Sequence, residues 1–208
     1  ESGRSLRARG SIPPSLRQFL MLLSFKDLYT KYNLKISGII HVGSHHAEEV
    51  PNYLDVGIDN IVLFEPLKDN FSVIETKLQS HSNIRKYQIA LGNSHKTITM
   101  NLASNNLESS SVLTPKLHLT LYPDIVFSKK EEVPLHRLDE YNCRKCNFLN
   151  MDVQGYELEV LKGATKTLEN VDYVYCEVNR DEVYENNAYI DIFSCKKFNP
   201  TEAFKFCT

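Results

Sequence analysis

Short apolar runs, each followed by a glycine or an acidic residue and then by a helical pattern, constrain the fold of this chain most. The three clearest runs are Ile39–Val42 before Gly43, Ile61–Phe64 before Glu65, and Phe148–Met151 before Asp152. Brief apolar runs bounded by turn signals are typical of strands buried on both faces of a sheet. Because helical segments separate them, they predict an α/β domain with a doubly wound, mostly parallel sheet.

The rest of the chain extends this prediction to further strands and helices. Helical patterns cover residues 13–32, 47–56, 67–79 and the segment that Gln154 and Gly155 open. Further strands are predicted at 84–91, 96–102, 133–138 and 171–177, of which 96–102 and 133–138 are extra antiparallel strands before the fourth parallel strand. Residues 103–130 form a long polar loop, and loops of this length are usually functional. A short helix at 188–195 and one strand at 203–207 make a shortened C-terminal hairpin.

Length and composition predict one soluble globular domain. The chain has 208 residues, of which 42% are hydrophobic, enough for a sizeable core. We expect a basic linker at 1–12 and a single domain at 13–208, which comprises an N-terminal helical segment (13–37) and a core (38–208). The net charge is −2, although residues 1–35 carry seven Lys/Arg against two Asp/Glu. Because the chain begins with Glu1 rather than Met, we expect it to belong to a longer protein.

Targeting signals and cysteine usage favour a cytoplasmic protein. No apolar run approaches the ~20 residues that a membrane-spanning helix needs. Arg4, Arg7 and Arg9 are typical of the start of a signal peptide, but Pro13 and Pro14 interrupt the apolar region that should follow. The five cysteines are an odd number without a secretory signal, which predicts reduced thiols, and the lone C-x-x-C lacks a second pair for a zinc site.

The turn after the first strand indicates a nucleotide-like cofactor. A strand, Gly43 and a helix would offer backbone N–H groups at a helix start, and Glu65 follows 22 residues later, where a carboxylate can accept both ribose hydroxyls. Dinucleotides and S-adenosylmethionine share this layout. A dinucleotide site needs G-x-G-x-x-G, whereas this turn has one glycine and two histidines that would crowd a pyrophosphate. The turn therefore favours S-adenosylmethionine, which has no phosphate.

Asp152 follows the strand at 148–151, where ligands bind outside the carboxyl ends of parallel strands. The simpler alternative is a helix N-cap, a position that Asp often occupies. A cap alone leaves the spacing of Gly155 and Glu157 unexplained.

Several motifs resemble those of one enzyme family. D-x-Q-G-x-E-x-x-x-L-x-G-A at 152–164 resembles the signature of the FkbM-type S-adenosylmethionine-dependent methyltransferases. IIHVGSHHAEE (39–49), IVLFEP (61–66), NNLESSSVL (105–113) and YVYCEVNRDEVY (173–184) are similar to other motifs of this family, with His41 and Ala47 as departures. The resemblance runs from about Gly38 to Tyr184 and implies a Rossmann-like class I methyltransferase sheet.

The resemblance, together with position at the strand ends, implies a set of cofactor-binding residues. These are His41, Gly43, Ser44, His45, Glu65, Pro66, Ala90, Leu91, Ser110, Ser111, Asp152 and Gln154. Glu65 is expected to bind the ribose, and Ala90 and Leu91 to wall the adenine slot. The simpler alternatives are a solvated or capping acid at Glu65, solvated histidines in the loop, and plain core at Ala90 and Leu91.

The predicted catalytic residues are Asp152, His118, Glu177 and Asn179. In the preferred hypothesis, Asp152 orients or deprotonates an acceptor hydroxyl, with His118 as a relay, while Glu177 and Asn179 position the acceptor. This hypothesis needs no metal. In the alternative, Asp152, Glu177 and Asn179 bind Mg²⁺ or Mn²⁺ through oxygen.

The resemblance implies S-adenosylmethionine-dependent O-methylation of a sugar hydroxyl, so the expected partner is a carbohydrate acceptor. The basic linker is consistent with fusion to glycosyltransferase modules. A second hypothesis is an RNA ribose 2′-O-methyltransferase that uses the basic start of the chain on phosphates. The usual Lys-Asp-Lys-Glu arrangement is not evident and the remainder of the chain is acidic, which disfavours nucleic acid. A third hypothesis is a non-catalytic binding module with the same fold.

Overall fold

The computed structural model describes residues 24–177, 179 and 181–187. Its helices are α1 (Phe25–Lys31), α2 (Val50–Asp55), α3 (Lys68–Lys77), α4 (His118–Leu121) and α5 (Glu157–Lys162). Its strands are β1 (Ile39–Val42), β2 (Ile61–Phe64), β3 (Arg85–Tyr87), β4 (Ala90–Leu91), β5 (Lys96–Leu102), β6 (Lys129–His136), β7 (Phe148–Met151) and β8 (Tyr173–Cys176). The predicted linker at 1–12, the helical residues before 24, the helix at 188–195 and the strand at 203–207 lie outside the described residues.

A parallel sheet organises the described part of the chain, with strand order β3-β2-β1-β7-β8. This arrangement confirms the predicted α/β class. The last residue of β1 pairs with the last residues of both β2 and β7, so these three strands end at the same level. Gly43, Glu65 and Asp152 therefore emerge together at one edge of the sheet, as predicted.

The two faces of this sheet pack against separate cores, because successive residues of a strand point to opposite sides. Ile39 belongs to one buried cluster, with Phe25 of α1 and Tyr53 of α2. Ile40 belongs to the other, with Val160 of α5. All residues of β1, β2 and β7 are buried, which explains why their sequences are mostly apolar rather than alternating, with His41 and Asn150 as the two polar exceptions.

The predicted antiparallel strands form a separate sheet, in the order β4-β6-β5. Strands β5 and β6 are antiparallel, and β4 runs parallel to β6. The single strand predicted at 84–91 is therefore wrong, since β3 belongs to the main sheet and β4 to the second. The chain changes sheet after Tyr87 because Ala90 packs with Met100 and Leu135 of the second sheet.

Two predicted helices begin later than expected. The helix predicted at 47–56 begins at Val50, because His45 and Ala47 have φ of 46° and 56°, outside the helical region. The helix predicted from Gln154 begins at Glu157, with Tyr156 at the N-cap position. Gln154 and Gly155 have φ of 52° and 97° and turn the chain before this helix. The N-cap alternative for Asp152 is thus wrong. None of the described helices is long and apolar enough to cross a membrane.

Candidate functional site

A cavity opens at the carboxyl edge of β1, β2 and β7. Its walls include nine of the predicted cofactor residues: Gly43, His45, Glu65, Pro66, Ala90, Leu91, Ser110, Asp152 and Gln154. Ile89 and Met100 extend the apolar side of the cavity, next to Ala90 and Leu91. The cavity therefore has an apolar wall on the side of the second sheet and two carboxylates where the main sheet ends.

The close approach of the first turn to Asp152 requires a glycine at position 43. Gly43 has φ of 75°, and a Cβ atom there would lie 1.9 Å from the carbonyl oxygen of Asp152. The turn does not offer the free N–H cradle that the sequence suggested. The N–H groups of Gly43 and Ser44 donate to the Phe64 carbonyl at 2.9 and 3.1 Å, and that of His45 donates to Glu65. The predicted cradle is therefore wrong, because these donors already stabilise the turn.

Glu65 is a buried carboxylate on the cavity wall, with 4% of its surface exposed. Its Oε1 accepts hydrogen bonds from the Leu67 N–H at 3.1 Å and from Asn70 Nδ2 at 3.2 Å. Its Oε2 accepts the His45 N–H at 2.9 Å. Burial raises the pKa of Glu65 to about 7, although these donors favour the charged form. Glu65 is therefore fixed in place and titrates near neutral pH.

Asp152 and Glu177 are linked through the side-chain amide of Gln154. Gln154 Nε2 donates to Asp152 Oδ1 at 2.7 Å and to Glu177 Oε2 at 3.4 Å. Asp152 lies exposed at the cavity, while Glu177 is partly buried behind it. The surrounding protein raises the pKa of Asp152, and burial together with the charge of Asp152 raises the pKa of Glu177 to about 7. The pair thus retains a proton more readily than two isolated carboxyl groups.

Tyr184 fixes the orientation of the Gln154 amide, a role that sequence reasoning missed. The Tyr184 hydroxyl lies 2.9 Å from Gln154 Oε1 and 3.0 Å from the Ser109 carbonyl, and it can donate to either. Ser111 Oγ donates to the Gln154 carbonyl at 2.8 Å. Tyr184 is 1% exposed, so solvent does not compete for its hydroxyl. Tyr184 ends the 173–184 motif, and this position in the motif could have indicated its role from the sequence.

Glu157 stabilises the turn between Asp152 and α5 by hydrogen bonds to its backbone. It is 3% exposed, and its Oε1 accepts the N–H groups of Val153 and Gly155 at 3.1 and 3.2 Å. Burial raises the pKa of Glu157 to about 8. Glu157 therefore accepts the N–H of Gly155, which a capping Asp152 would otherwise accept.

Three predicted cofactor residues lie beneath the cavity rather than on its wall. His41 is 3% exposed, and its Nδ1 lies 3.2 Å from the Tyr53 hydroxyl, which accepts a hydrogen bond from Asn150 Nδ2 at 2.8 Å. Burial lowers the pKa of His41 to about 4, so the ring is neutral at pH 7. Ser44 and Ser111 are also buried and bond to backbone carbonyls. These three residues support the pocket from beneath, and their direct contact with a cofactor stays a prediction.

His118 lies in an aromatic cluster instead of on the cavity wall. It is 2% exposed, and its ring centroid lies 4.9, 5.2 and 5.5 Å from those of Tyr122, Phe127 and Tyr184. Burial lowers the pKa of His118. The predicted relay from His118 to Asp152 is therefore corrected, because Tyr184 and Gln154 stand between them. Asn179 is half-buried, and its catalytic role stays a prediction.

The arrangement around Gln154 disfavours the predicted oxygen-ligand metal site. The amide presents N–H groups to Asp152 and Glu177, and a cation between these carboxylates would meet donors rather than oxygen lone pairs. Among the described residues, two other groups have metal-ligand spacing: His45 with His46 and Glu48, and His95 with His136 and Glu140.

Comparisons with known proteins identify the family of this chain. The sequence model described as the methyltransferase FkbM domain matches residues 41–203. The 2-O-methyltransferase NoeI of Sinorhizobium fredii (strain NBRC 101917 / NGR234) is 23% identical over 158 residues, which cover 71% of this chain and 65% of NoeI. A crystal structure of methyltransferase FkbM from Methylobacillus flagellatus KT aligns with a TM-score of 0.49 and 15% identity, over 74% of this chain and 36% of that one. The chain thus spans less than two thirds of the length of either protein. Because the family match covers well over half of the chain, this protein belongs to the FkbM family of methyltransferases.

Proposed function

We propose that this protein is an S-adenosylmethionine-dependent O-methyltransferase that acts on a sugar hydroxyl. The observation that carries the proposal is that Glu65 and Asp152 line one cavity, on either side of the Gly43 turn. One carboxylate is available for a cofactor ribose and the other for an acceptor hydroxyl. Family membership supports the methyl donor, and the name of the relative NoeI supports transfer to oxygen.

The residues of the cavity fit S-adenosylmethionine. Glu65 is held by three donors in an orientation that leaves it on the cavity wall, where it can accept ribose hydroxyls. Ile89, Ala90 and Leu91 supply an apolar surface for adenine. When bound, the donor would supply a methyl group on a sulfonium, which would pass to the acceptor oxygen in line as the methyl–sulfur bond breaks and the neutral thioether leaves. The protein contributes by holding the methyl donor and the acceptor hydroxyl in that alignment.

Asp152 is the residue placed to bind the acceptor. A sugar hydroxyl is a weak nucleophile at neutral pH, so a carboxylate that accepts its proton during transfer accelerates the reaction. Asp152 lines the cavity, where its carboxylate can reach an acceptor hydroxyl. Gln154 fixes one carboxylate oxygen by its hydrogen bond to Oδ1, and Glu177 lies beyond Gln154 as a second carboxylate.

Mass spectrometry of a panel of glycans, incubated with the protein and isotopically labelled S-adenosylmethionine, tests this proposal. We expect a labelled methyl ether on one sugar and a loss of at least about 100-fold in turnover for Asp152→Asn, the size of a general-base contribution. Asp59→Asn is the matched control, because Asp59 is exposed and precedes β2 at the opposite edge of the sheet.

Each experimental outcome that would contradict this proposed function points to a different alternative. If calorimetry detects no binding of S-adenosylmethionine, the protein is a non-catalytic module. If the cofactor binds and a structured RNA is labelled instead of any glycan, the ribose 2′-O-methyltransferase hypothesis replaces the sugar proposal. If Asp152→Asn keeps the turnover of the unmodified protein, Asp152 is not the base.

A further inference from the structure

Three potential metal ligands meet beside the cavity, in the loop between β1 and α2. His45 Nδ1 lies 2.9 Å from Glu48 Oε1, and His46 Nδ1 lies 3.6 Å from the same oxygen. One ligand atom from each of the three residues lies within 4.8 Å of the ligand atoms of the other two. The two imidazole rings stack with centroids 3.9 Å apart, and each histidine side chain is 20% exposed. The ligand atoms thus converge on one point that solvent can reach only in part.

The hydrogen bond of the other ring nitrogen of His45, Nε2, determines whether Nδ1 carries a hydrogen or a lone pair. His45 Nε2 lies 2.9 Å from the backbone carbonyl of Asn106. A carbonyl oxygen only accepts, so Nε2 carries the hydrogen. In the neutral ring, Nδ1 then holds a lone pair that faces a carboxylate oxygen at 2.9 Å. Two lone pairs at that distance repel unless a proton or a cation lies between them.

The same hydrogen bond is the usual second contact of a metal-binding histidine. Such histidines donate their other N–H to a carbonyl or a carboxylate, which fixes the tautomer and the ring orientation. The main chain of His45 is also fixed, because its N–H donates to Glu65 at 2.9 Å. Lys77 Nζ holds the His46 carbonyl at 2.9 Å. The ligand atom of His45 is therefore preorganised from both its side chain and its backbone.

We propose that His45, His46 and Glu48 bind a divalent transition metal of the zinc class. Two imidazole nitrogens and one carboxylate oxygen match the His₂Glu donor set of zinc, with water as a fourth ligand. Nitrogen ligands favour zinc, nickel or copper over magnesium and calcium. The metal replaces the proton between His45 and Glu48, so binding releases a proton when His45 starts in its charged form.

The metal site would also connect to the cofactor pocket. His45 touches Glu65 through its backbone and Asn106 through its ring, and it lines the cavity itself. A metal on Nδ1 therefore restrains the turn that supports Glu65. On the proposed function, zinc should tighten binding of S-adenosylmethionine, and the cofactor should tighten binding of zinc by the same factor. This coupling rests on the proposed function, whereas zinc binding itself does not.

The group of His95, His136 and Glu140 offers a matched control. Its ligand atoms are equally close, but His95 is 65% exposed at its side chain. The Tyr141 hydroxyl also lies 2.8 Å from His136 Nδ1 and already occupies that ligand atom. A variant of His95 therefore removes a ligand from a competing site without touching the cavity.

The test is calorimetric titration of untagged, chelator-treated protein with Zn²⁺, together with the visible absorption of bound Co²⁺. We expect one zinc per chain and at least tenfold weaker binding in both His46→Ala and Glu48→Gln, with unchanged affinity in His95→Ala. Circular dichroism confirms that each variant is folded. Unchanged zinc affinity in His46→Ala and Glu48→Gln, or a loss in His95→Ala, overturns the proposal.

Failure to bind zinc at neutral pH also overturns it and leaves a proton between His45 and Glu48. The proposed function fails separately, through absent binding of S-adenosylmethionine in the same calorimeter. If both ligands bind but zinc does not change the affinity for the cofactor, the coupling is wrong while the metal site stands.

Discussion

Binding of S-adenosylmethionine should strengthen as the pH rises through 7, because Glu65 must be charged to accept two ribose hydroxyls. Burial raises the pKa of Glu65 to about 7, against three donors that favour the charged form. A raised pKa means that the cavity without cofactor favours the protonated acid at pH 6. The protonated acid cannot accept both hydroxyls, so the cofactor must displace a proton to bind.

The size of the effect follows from proton linkage. If only the carboxylate binds, the apparent Kd is multiplied by one plus ten to the power of pKa minus pH. With a pKa of about 7, the affinity should rise about tenfold between pH 6 and pH 8, equivalent to about 1.4 kcal/mol. Asp152 adds to this slope, since its pKa is also raised and its charge attracts the sulfonium.

Glu65→Gln separates the two contributions. Glutamine cannot titrate, so calorimetry across pH 5.5 to 8.5 should show weaker binding at every pH and a shallower slope, while Asp152→Asn should keep the contribution of Glu65. Loss of a charged acceptor for a hydroxyl weakens binding by about 1.5–3 kcal/mol. If the unmodified protein binds equally well at pH 6 and pH 8, or if Glu65→Gln keeps the full slope, the reasoning about Glu65 is refuted.

Two further predictions concern the turn and the Gln154 amide. Gly43→Ala should destabilise more than Gly57→Ala. Both glycines have φ near 80°, which costs a side chain about 1–2 kcal/mol, but only Gly43 adds a clash, with the Asp152 carbonyl. Thermal melts should therefore differ by several degrees, and equal melts contradict the clash. Tyr184→Phe should lower kcat about tenfold and leave KM for the donor unchanged. It should also shift the pH dependence of kcat, because the Gln154 amide can rotate without the Tyr184 hydroxyl. An unchanged pH dependence of kcat means that Tyr184 is only structural.

Sequence reasoning located the site where the topology leaves little choice. Short, mostly apolar runs bounded by turn residues are typical of buried strands, and parallel strands that end at the same level bring the residues that follow them to one edge of the sheet. Gly43, Glu65 and Asp152 were predicted together on this basis, and all three line the cavity. The pattern did not show that the chain changes sheet after Tyr87, because Ile89 and Leu91 are apolar in either sheet.

Polar residues were the less predictable part of the site. A polar residue at a strand end can face either the pocket or the core, and only its spatial neighbours decide. His41 points inward, where Tyr53 on the next helix supplies a hydrogen-bond partner. His118 is covered by Tyr184, which is distant in sequence and follows the last described strand. Neither partner is adjacent in the chain, so local pattern could not reveal the burial of these histidines.

The spacing of Asp152, Gln154, Gly155 and Glu157 is explained by the different structural role of each residue. Glu157 accepts the N–H groups of Val153 and Gly155, the second of which an aspartate before a helix would otherwise accept as a cap. Gln154 and Gly155 adopt positive φ and delay the helix to residue 157. Asp152 therefore does not cap α5, although its carboxylate still accepts the backbone N–H of Gln154, and the Gln154 amide holds that carboxylate toward the cavity. Because the second acidic residue, five positions later, stabilises the turn, the remaining lone pairs of Asp152 can bind the acceptor.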